Sequence, residues 1–292
     1  MFANFTPKAC GLLNTDYREV ARFASKYGFA AIEVPLGAFT SVKEASEAGK
    51  FIADLGLRWG LLYPPCDLFT VDDETFDSAL ETMKRWGEQM EAAGCVRSYT
   101  HVWPGSDERD YDENFEFHVR RVKRVFDIMH NHGIFYGLEF ITQRHEIDRF
   151  GYPFQSSLAG VLAIADAVSP QVGFVFDVFH WYCSGARIDD VYLAASNISR
   201  LVNLHLCDGL AGVGRDRQKN WWRAMPLANG VVDALFSAKL FQKAGYDGPV
   251  MLEPMKPSTN RFLKMPLEDV IAEEAGEFKK FFDAAGIEHG FS

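Results

Sequence analysis

The chain has 292 residues, with 30 Lys and Arg against 40 Asp and Glu, a formal net charge of −10. At 48% hydrophobic and 24% charged residues it is a globular chain and not a disordered one. The acidic balance, without any basic run, argues against nucleic acid or an anionic membrane as partner, and no apolar run approaches the ~20 residues that span a bilayer.

Short apolar runs rich in β-branched and aromatic residues alternate with segments of helical periodicity. Ala9–Leu13, Ala30–Val34 and Arg58–Tyr63 read as the first three strands. Phe76, Leu80, Met83, Trp86 and Met90 then form the apolar stripe of a helix, followed by a strand over Val96–Val102. Phe115, Val119, Val122, Phe126 and Met129 make the clearest stripe, with Arg120, Arg121, Lys123 and Arg124 on other faces. Ile134–Ile141, Val172–Phe179, Leu201–Leu206 and Val250–Glu253 are the remaining strands, and a helix with Ile271, Ala275, Phe278 and Phe282 on one face closes the series. Gly28, Gly56, Gly133 and Gly245 each precede a strand, where a helix C-terminus favours a left-handed residue.

Alternating strands and helices imply parallel strands with right-handed crossovers. Eight units in this length fit an α/β fold of the (β/α)8 TIM-barrel type. At ~150 residues per domain the length would also allow two domains, but no linker rich in Pro, Gly and Ser interrupts the chain. Residues 1–292 therefore read as one domain. Cys10, Cys66, Cys95, Cys183 and Cys207 are scattered, with no CxxC pair, and read as reduced thiols of a cytoplasmic protein. Met1 to Leu13 lacks the basic and long apolar regions of a signal peptide.

Four strands end in ionisable residues: Glu139, Asp177, His205 and Glu253, at intervals of 38, 28 and 48 residues. An isolated buried charge costs several kcal/mol unless it is paired or coordinated. One such carboxylate alone reads as a helix cap or an ion-pair partner. Four on consecutive strands converge at the C-terminal face, where barrel active sites are built. Three carboxylates and an imidazole suit one divalent ion: Mn²⁺ foremost, with Mg²⁺, Co²⁺ or Zn²⁺ as alternatives. There is no G-x-G-x-x-G after the first strand, no P-loop and no G-x-S-x-G elbow, so nicotinamide, nucleotide and serine-hydrolase chemistries find no motif.

Gly28-Phe-Ala-Ala-Ile-Glu33, Leu138-Glu139, Asp177-Val-Phe-His180, His205-Leu-Cys-Asp208 and Gly245-Tyr-Asp-Gly-Pro-Val-Met-Leu-Glu253 resemble the xylose-isomerase-like TIM-barrel superfamily, from about Ala9 to Phe282. That superfamily includes sugar phosphate isomerases and epimerases, ketose 3-epimerases and inosose dehydratase. The resemblance implies that Glu139, Asp177, His205 and Glu253 ligate the metal and that His180 contacts a substrate hydroxyl. It gives Glu33 either a substrate hydroxyl or an ion pair, and Asp208 a supporting role beside a ligand histidine.

Two departures from the ketose 3-epimerases matter. Their second acid/base glutamate, six residues after the first ligand, is here His145, a base with an ordinary pKa near neutrality. Their arginine six residues after the ligand histidine is here Ala211, and Arg215 and Arg217 either take over its role or are surface charge. The long segment from Cys207 to Asn229 carries Trp221 and Trp222, an apolar wall or lid for the substrate or an oligomer contact. Trp103 and Trp181 follow strand ends and suit the apolar faces of a sugar ring.

The expectation is a metal-dependent isomerase or epimerase acting on a sugar or related hydroxy-carbonyl compound through an enediolate, with Glu139, Glu253 or His145 moving the proton. The alternative is a lyase that makes the same enolate and then expels a β-substituent, as inosose dehydratase or the C-glycoside deglycosidases do. A small sugar is the expected partner, and a homo-oligomer or a partner subunit is compatible with the sequence.

Overall fold

The computed structural model describes residues 1–35, 37 and 39–291. Eight parallel strands form its central sheet: β1 (Phe2–Phe5), β2 (Ala31–Ile32), β3 (Arg58–Trp59), β4 (Arg97–Val102), β5 (Phe135–Phe140), β6 (Gly173–Asp177), β7 (Leu201–Leu206) and β8 (Pro249–Leu252). Their spatial order is β3-β2-β1-β8-β7-β6-β5-β4. The two edges meet through Leu62, just past β3, which bridges to Ser98 of β4. The Leu62 N–H donates to the Arg97 carbonyl at 3.0 Å, and Ser98 Oγ donates to the Leu62 carbonyl at 2.8 Å. The sheet is thereby a closed barrel.

The helices α1 (Tyr17–Lys26), α2 (Val42–Asp54), α3 (Asp73–Ala93), α4 (Tyr111–Asn131), α5 (Leu158–Val168), α6 (Ile188–Ser196), α7 (Ala234–Lys243) and α8 (Leu267–Ala285) follow the strands in turn. Asp16, Ser41, Asp72, Asp110, Ser157 and Asp233 accept backbone N–H groups at helix starts, so polar side chains fix where six of these helices begin. The apolar stripes face inward as the periodicity predicts: Phe76, Leu80, Met83 and Met90 of α3, Val122, Phe126 and Met129 of α4, and Ile271, Ala275, Phe278 and Phe282 of α8 are buried. Each large side chain so buried contributes about 1.5–3 kcal/mol. A smaller cluster (Leu61, Tyr63, Tyr99, Val175, Val202 and Met251) fills the barrel interior.

Glycines are required where space or backbone sign demands them. Gly28 has φ +90°, and a Cβ there would lie 2.5 Å from the Gly290 carbonyl oxygen. A Cβ on Gly137 of β5 would lie 2.6 Å from Val202 Cγ2 across the barrel.

The first strand corrects the sequence reading. It is Phe2–Phe5, not Ala9–Leu13. Pro7 has no N–H to continue a ladder, and the N–H groups of Ala9 and Cys10 turn back to the carbonyls of Thr6 and Pro7. Asn4 breaks the apolar run of Phe2–Phe5, but its side chain is buried and donates to Thr6 Oγ1 at 3.1 Å.

Candidate metal centre at the C-terminal end of the barrel

Strand register builds the site. Asp177 of β6 pairs across to His205 of β7, and His101 of β4 pairs across to Glu139 of β5. Side chains on one barrel rung share a height, so these four point into the interior together. His205 pairs with Met251 of β8, and Glu253, two residues further on, rises on the same face.

One atom from each of Glu139, Asp177, His205 and Glu253 lies within 4.8 Å of the others, and all four residues are buried. His205 Nδ1 is 3.2 Å from Glu139 Oε1, 3.5 Å from Glu253 Oε2 and 3.8 Å from Asp177 Oδ2. Nδ1 has no well-directed hydrogen bond, and neither does Glu139 Oε2. Such donor atoms, buried, convergent and incompletely satisfied, fit a divalent cation. Asp177 serves two purposes: its Oδ1 accepts from the N–H of Phe179 at 2.7 Å and caps the short helix that follows, leaving Oδ2 for the cluster.

An arginine flanks the cluster. Arg223 Nη1 donates to Asp177 Oδ2 at 2.7 Å and to Glu253 Oε2 at 2.5 Å. Its Nε and Nη2 donate to Asn220, and the guanidinium lies 4.7 Å over the Phe179 ring. The backbone holds it there: Asp208 and Ala224 exchange two N–H bonds at 2.8 Å, and Trp222–Arg223 pairs with Lys256–Pro257.

Electrostatics follow from this packing. Burial alone would raise the Asp177 carboxyl, but Arg223 and His180 outweigh it and hold it well below the usual range. Burial lowers the His205 imidazole, yet Glu139 and Glu253 outweigh it, so in the metal-free protein it is held well above its ordinary value. His180 is lowered by burial against the opposing pull of Asp177.

Above the cluster is a cavity of about 240 Å³, lined among others by Lys8, Tyr63, Tyr99, His101, Trp103 and His180. Glu139, Glu253 and Arg223 form part of its wall. His180 is buried, with Nε2 3.5 Å from Asp177 Oδ2. His101 Nε2 is 3.1 Å from Glu139 Oε2.

Other predicted residues lie elsewhere. Glu33 is buried beside the neighbouring β1–α1 turn, where Lys8 N–H donates to it at 3.4 Å, and burial pushes its carboxyl up to about 7. His145 packs edge-on against Trp221 at 5.3 Å and lies 3.4 Å from Glu146 Oε1, outside the residues lining the cavity. Arg215 sits 5.0 Å over the Tyr182 ring in a separate cleft, and Arg217 shares its short 3-10 turn, so neither reaches the carboxylates. Trp181 is a core residue, not a mouth residue: it is buried and donates from Nε1 to the Arg187 carbonyl at 2.8 Å. Asp208 does not support His205. Both its oxygens accept backbone N–H groups, from Gly209, Asn229, Gly230, Val231 and Val232. Trp221 and Trp222 are each more than 40% exposed.

The sequence reading missed Arg223, His101 and Lys8. His101 had a signal, since Arg97, Tyr99 and His101 alternate along β4 and so share the inward face. Arg223 had none, because its position depends on how a long loop folds.

Residues 21–281 match the sequence model described as Xylose isomerase-like TIM barrel. The chain belongs to that family. Among solved structures it is similar to a xylose isomerase domain protein from Alicyclobacillus acidocaldarius subsp. acidocaldarius (TM-score 0.79, 21% identity), covering 98% of this chain and 99% of that one. It is similar to an IOLI protein with a bound zinc atom (TM-score 0.77, 17% identity), with 97% and 99% covered. It is also similar to the D-psicose 3-epimerase from Clostridium cellulolyticum H10, solved with D-tagatose (TM-score 0.70, 16% identity), with 96% and 99% covered. At these identities the solved structures establish the shared barrel fold alone. Among the described residues no helix is long and apolar enough to cross a membrane.

Proposed function

We propose that this protein is a divalent-metal-dependent isomerase or epimerase of a sugar or related hydroxy-carbonyl compound. The observation that carries the reading is the buried set of three carboxylates and one imidazole at the barrel mouth. Glu139, Asp177, His205 and Glu253 would hold the ion. Mn²⁺ is the first choice for an oxygen-rich set with one nitrogen, and the zinc of the similar IOLI structure supports a divalent ion of some kind. When bound, such an ion supplies Lewis-acid polarisation of a substrate carbonyl.

The chain's own groups do the rest. Arg223 and His180 face the cavity as hydrogen-bond donors for substrate oxygens. Tyr63, Tyr99 and Trp103 give it apolar walls that suit the faces of a sugar ring and exclude water. Proton removal from the carbon beside the carbonyl falls to Glu139 or Glu253, the carboxylates in the cavity wall.

A second reading rests on a specific observation. Glu139 and Glu253 are the acidic residues lining this cavity, and the next acidic residue in the chain after Glu139, Glu146, pairs instead with Arg149 at 3.1 Å. Glu139 and Glu253 would both also be ligands of the ion; where neither returns a proton on the opposite face, the enolate expels a β-substituent and the enzyme is a lyase. Turnover of keto sugars and 3-oxo-glycosides in D2O with added Mn²⁺ separates the two. An isomerase or epimerase gives a deuterated product of otherwise unchanged formula, and a lyase gives a product of changed formula. No metal-dependent reaction across that panel would refute both.

A further inference from the structure

His180 lines the cavity over the carboxylate cluster, and its Nδ1 is held from behind by Gln143. Gln143 Nε2 lies 2.9 Å from His180 Nδ1, and each residue has 1% of its surface exposed. Gln143 stands just before the short helical turn Arg144–Ile147, yet its side chain makes no cap bond there and turns to the imidazole instead. The preceding residue, Thr142, donates from Oγ1 to the His180 carbonyl at 2.7 Å. Two consecutive residues beyond β5 thus grip one histidine, Thr142 by its backbone and Gln143 by its ring. Gln143 is not among the residues lining the cavity, so it acts there only through His180.

A neutral imidazole has one N–H and one bare nitrogen, and its neighbours decide which is which. An amide nitrogen only donates, so Gln143 makes Nδ1 the acceptor and the ring proton stands on Nε2. The surroundings of Nε2 agree, with the acceptors Asp177 Oδ2 at 3.5 Å and Glu139 Oε1 at 3.8 Å. The reverse amide orientation would put an NH2 group where Gln143 Oε1 now finds no partner, and buried orphan N–H groups are rarer than orphan carbonyls. Arg223 Nη2 lies 3.4 Å from His180 Nε2, a longer contact than that of Gln143 with Nδ1. A guanidinium nitrogen also only donates, and Nη2 already gives one N–H to Asn220 Oδ1 at 2.6 Å. Two donors side by side do not satisfy each other, whereas one acceptor oxygen between them satisfies both.

We propose that Gln143 is a positioning residue: by donating to Nδ1 it makes His180 an Nε2–H donor, which together with Arg223 Nη2 binds one substrate oxygen, the oxygen that gains charge when the neighbouring carbon loses its proton. His180 is then a donor and not the base that takes that proton. The role toward substrate rests on the functional reading above; the placement of the ring proton does not.

The test is long-range ¹H–¹⁵N correlation at neutral pH on ¹⁵N-histidine protein with Mg²⁺, a diamagnetic ion, with the His180 signals identified by their loss in His180→Asn. Bare and protonated ring nitrogens resonate far apart, and only Nε2 couples strongly to both ring carbon protons. The parent is expected to carry its proton on Nε2. Gln143→Glu sets an accepting carboxylate beside Nδ1 and is expected to draw a proton there. Turnover of the keto sugar found in the D2O panel should then fall by about 100-fold, with KM changed less. Thr142→Val loses the backbone anchor but keeps the amide, and is expected to retain the Nε2–H form, which separates control of the ring proton from support of the helix. A parent proton on Nδ1 overturns the proposal, as does the parent's tautomer in both Gln143→Glu and Gln143→Leu. Parent-like turnover by Gln143→Glu after its tautomer has switched overturns the donor role of His180. If the spectra are as expected but the protein binds no Mg²⁺ and turns over no keto sugar, the placement of the ring proton by Gln143 stands and the functional reading falls.

Discussion

Arg223 donates from Nη1 to Asp177 Oδ2 at 2.7 Å, joining a loop side chain to a carboxylate at the end of a barrel strand. The same nitrogen reaches Glu253, so one guanidinium balances two of three buried acids. Removing one partner of a buried ion pair costs about 3–5 kcal/mol, because the other charge is left unpaired. Arg223→Met is therefore expected to destabilise the metal-free protein by about that amount. A divalent ion would replace the lost charge, so added Mn²⁺ should raise the melting temperature of the variant more than that of the parent. Equal shifts in the two proteins would show that Arg223 and the ion do not share these carboxylates.

Asp208 sets where that arginine stands. Its carboxylate accepts five backbone N–H groups, four of them from residues 229–232, and its backbone pairs with Ala224, next to Arg223. Asp208→Ala should cost on the order of 3 kcal/mol. It should also open the segment from Gly209 to Val231 to proteolysis while the barrel stays folded. Parent-like resistance to protease would contradict this account of the loop.

A buried acid away from the site gives a pH prediction. Glu274 of α8 accepts from Cys10 Sγ at 3.1 Å, and burial pushes its carboxyl up to about 8. The folded state then holds a proton that the unfolded state releases near 4.5. Its stabilising contribution is complete below that pH and is lost as pH rises through about 8. The slope is at most about 1.4 kcal/mol per pH unit. Glu33, raised to about 7, acts in the same direction over a narrower window. Glu274→Gln should flatten the loss of stability measured by urea unfolding between pH 5 and pH 8. An unchanged slope would mean that Glu274 is ionised in the folded protein.

Much of the barrel was legible in the sequence because burial on both faces makes the strands apolar and the helices striped. The four cluster residues were legible for the opposite reason, as charges at the ends of apolar runs. Phe2–Phe5 was missed because Asn4 points into the barrel, and a polar residue inside a closed barrel breaks the pattern used to find strands. Arg223 was out of reach because its place depends on contacts between distant segments. His118 and Arg121 of α4 are buried by segments distant in sequence: Phe69 and Phe154 pack on the His118 ring at 4.2 and 4.8 Å, and Arg121 donates to the Leu68 and Val71 carbonyls.

The central claim is that Glu139, Asp177, His205 and Glu253 form one metal centre. The direct measurement is Mn²⁺ binding by isothermal titration calorimetry on the purified, chelator-stripped protein, with Asp177→Ala as its partner experiment. The account predicts about one ion per chain for the parent and none for the variant, since each residue supplies one ligand atom to the cluster. Absence of binding to the parent, or undiminished binding to Asp177→Ala, would contradict it.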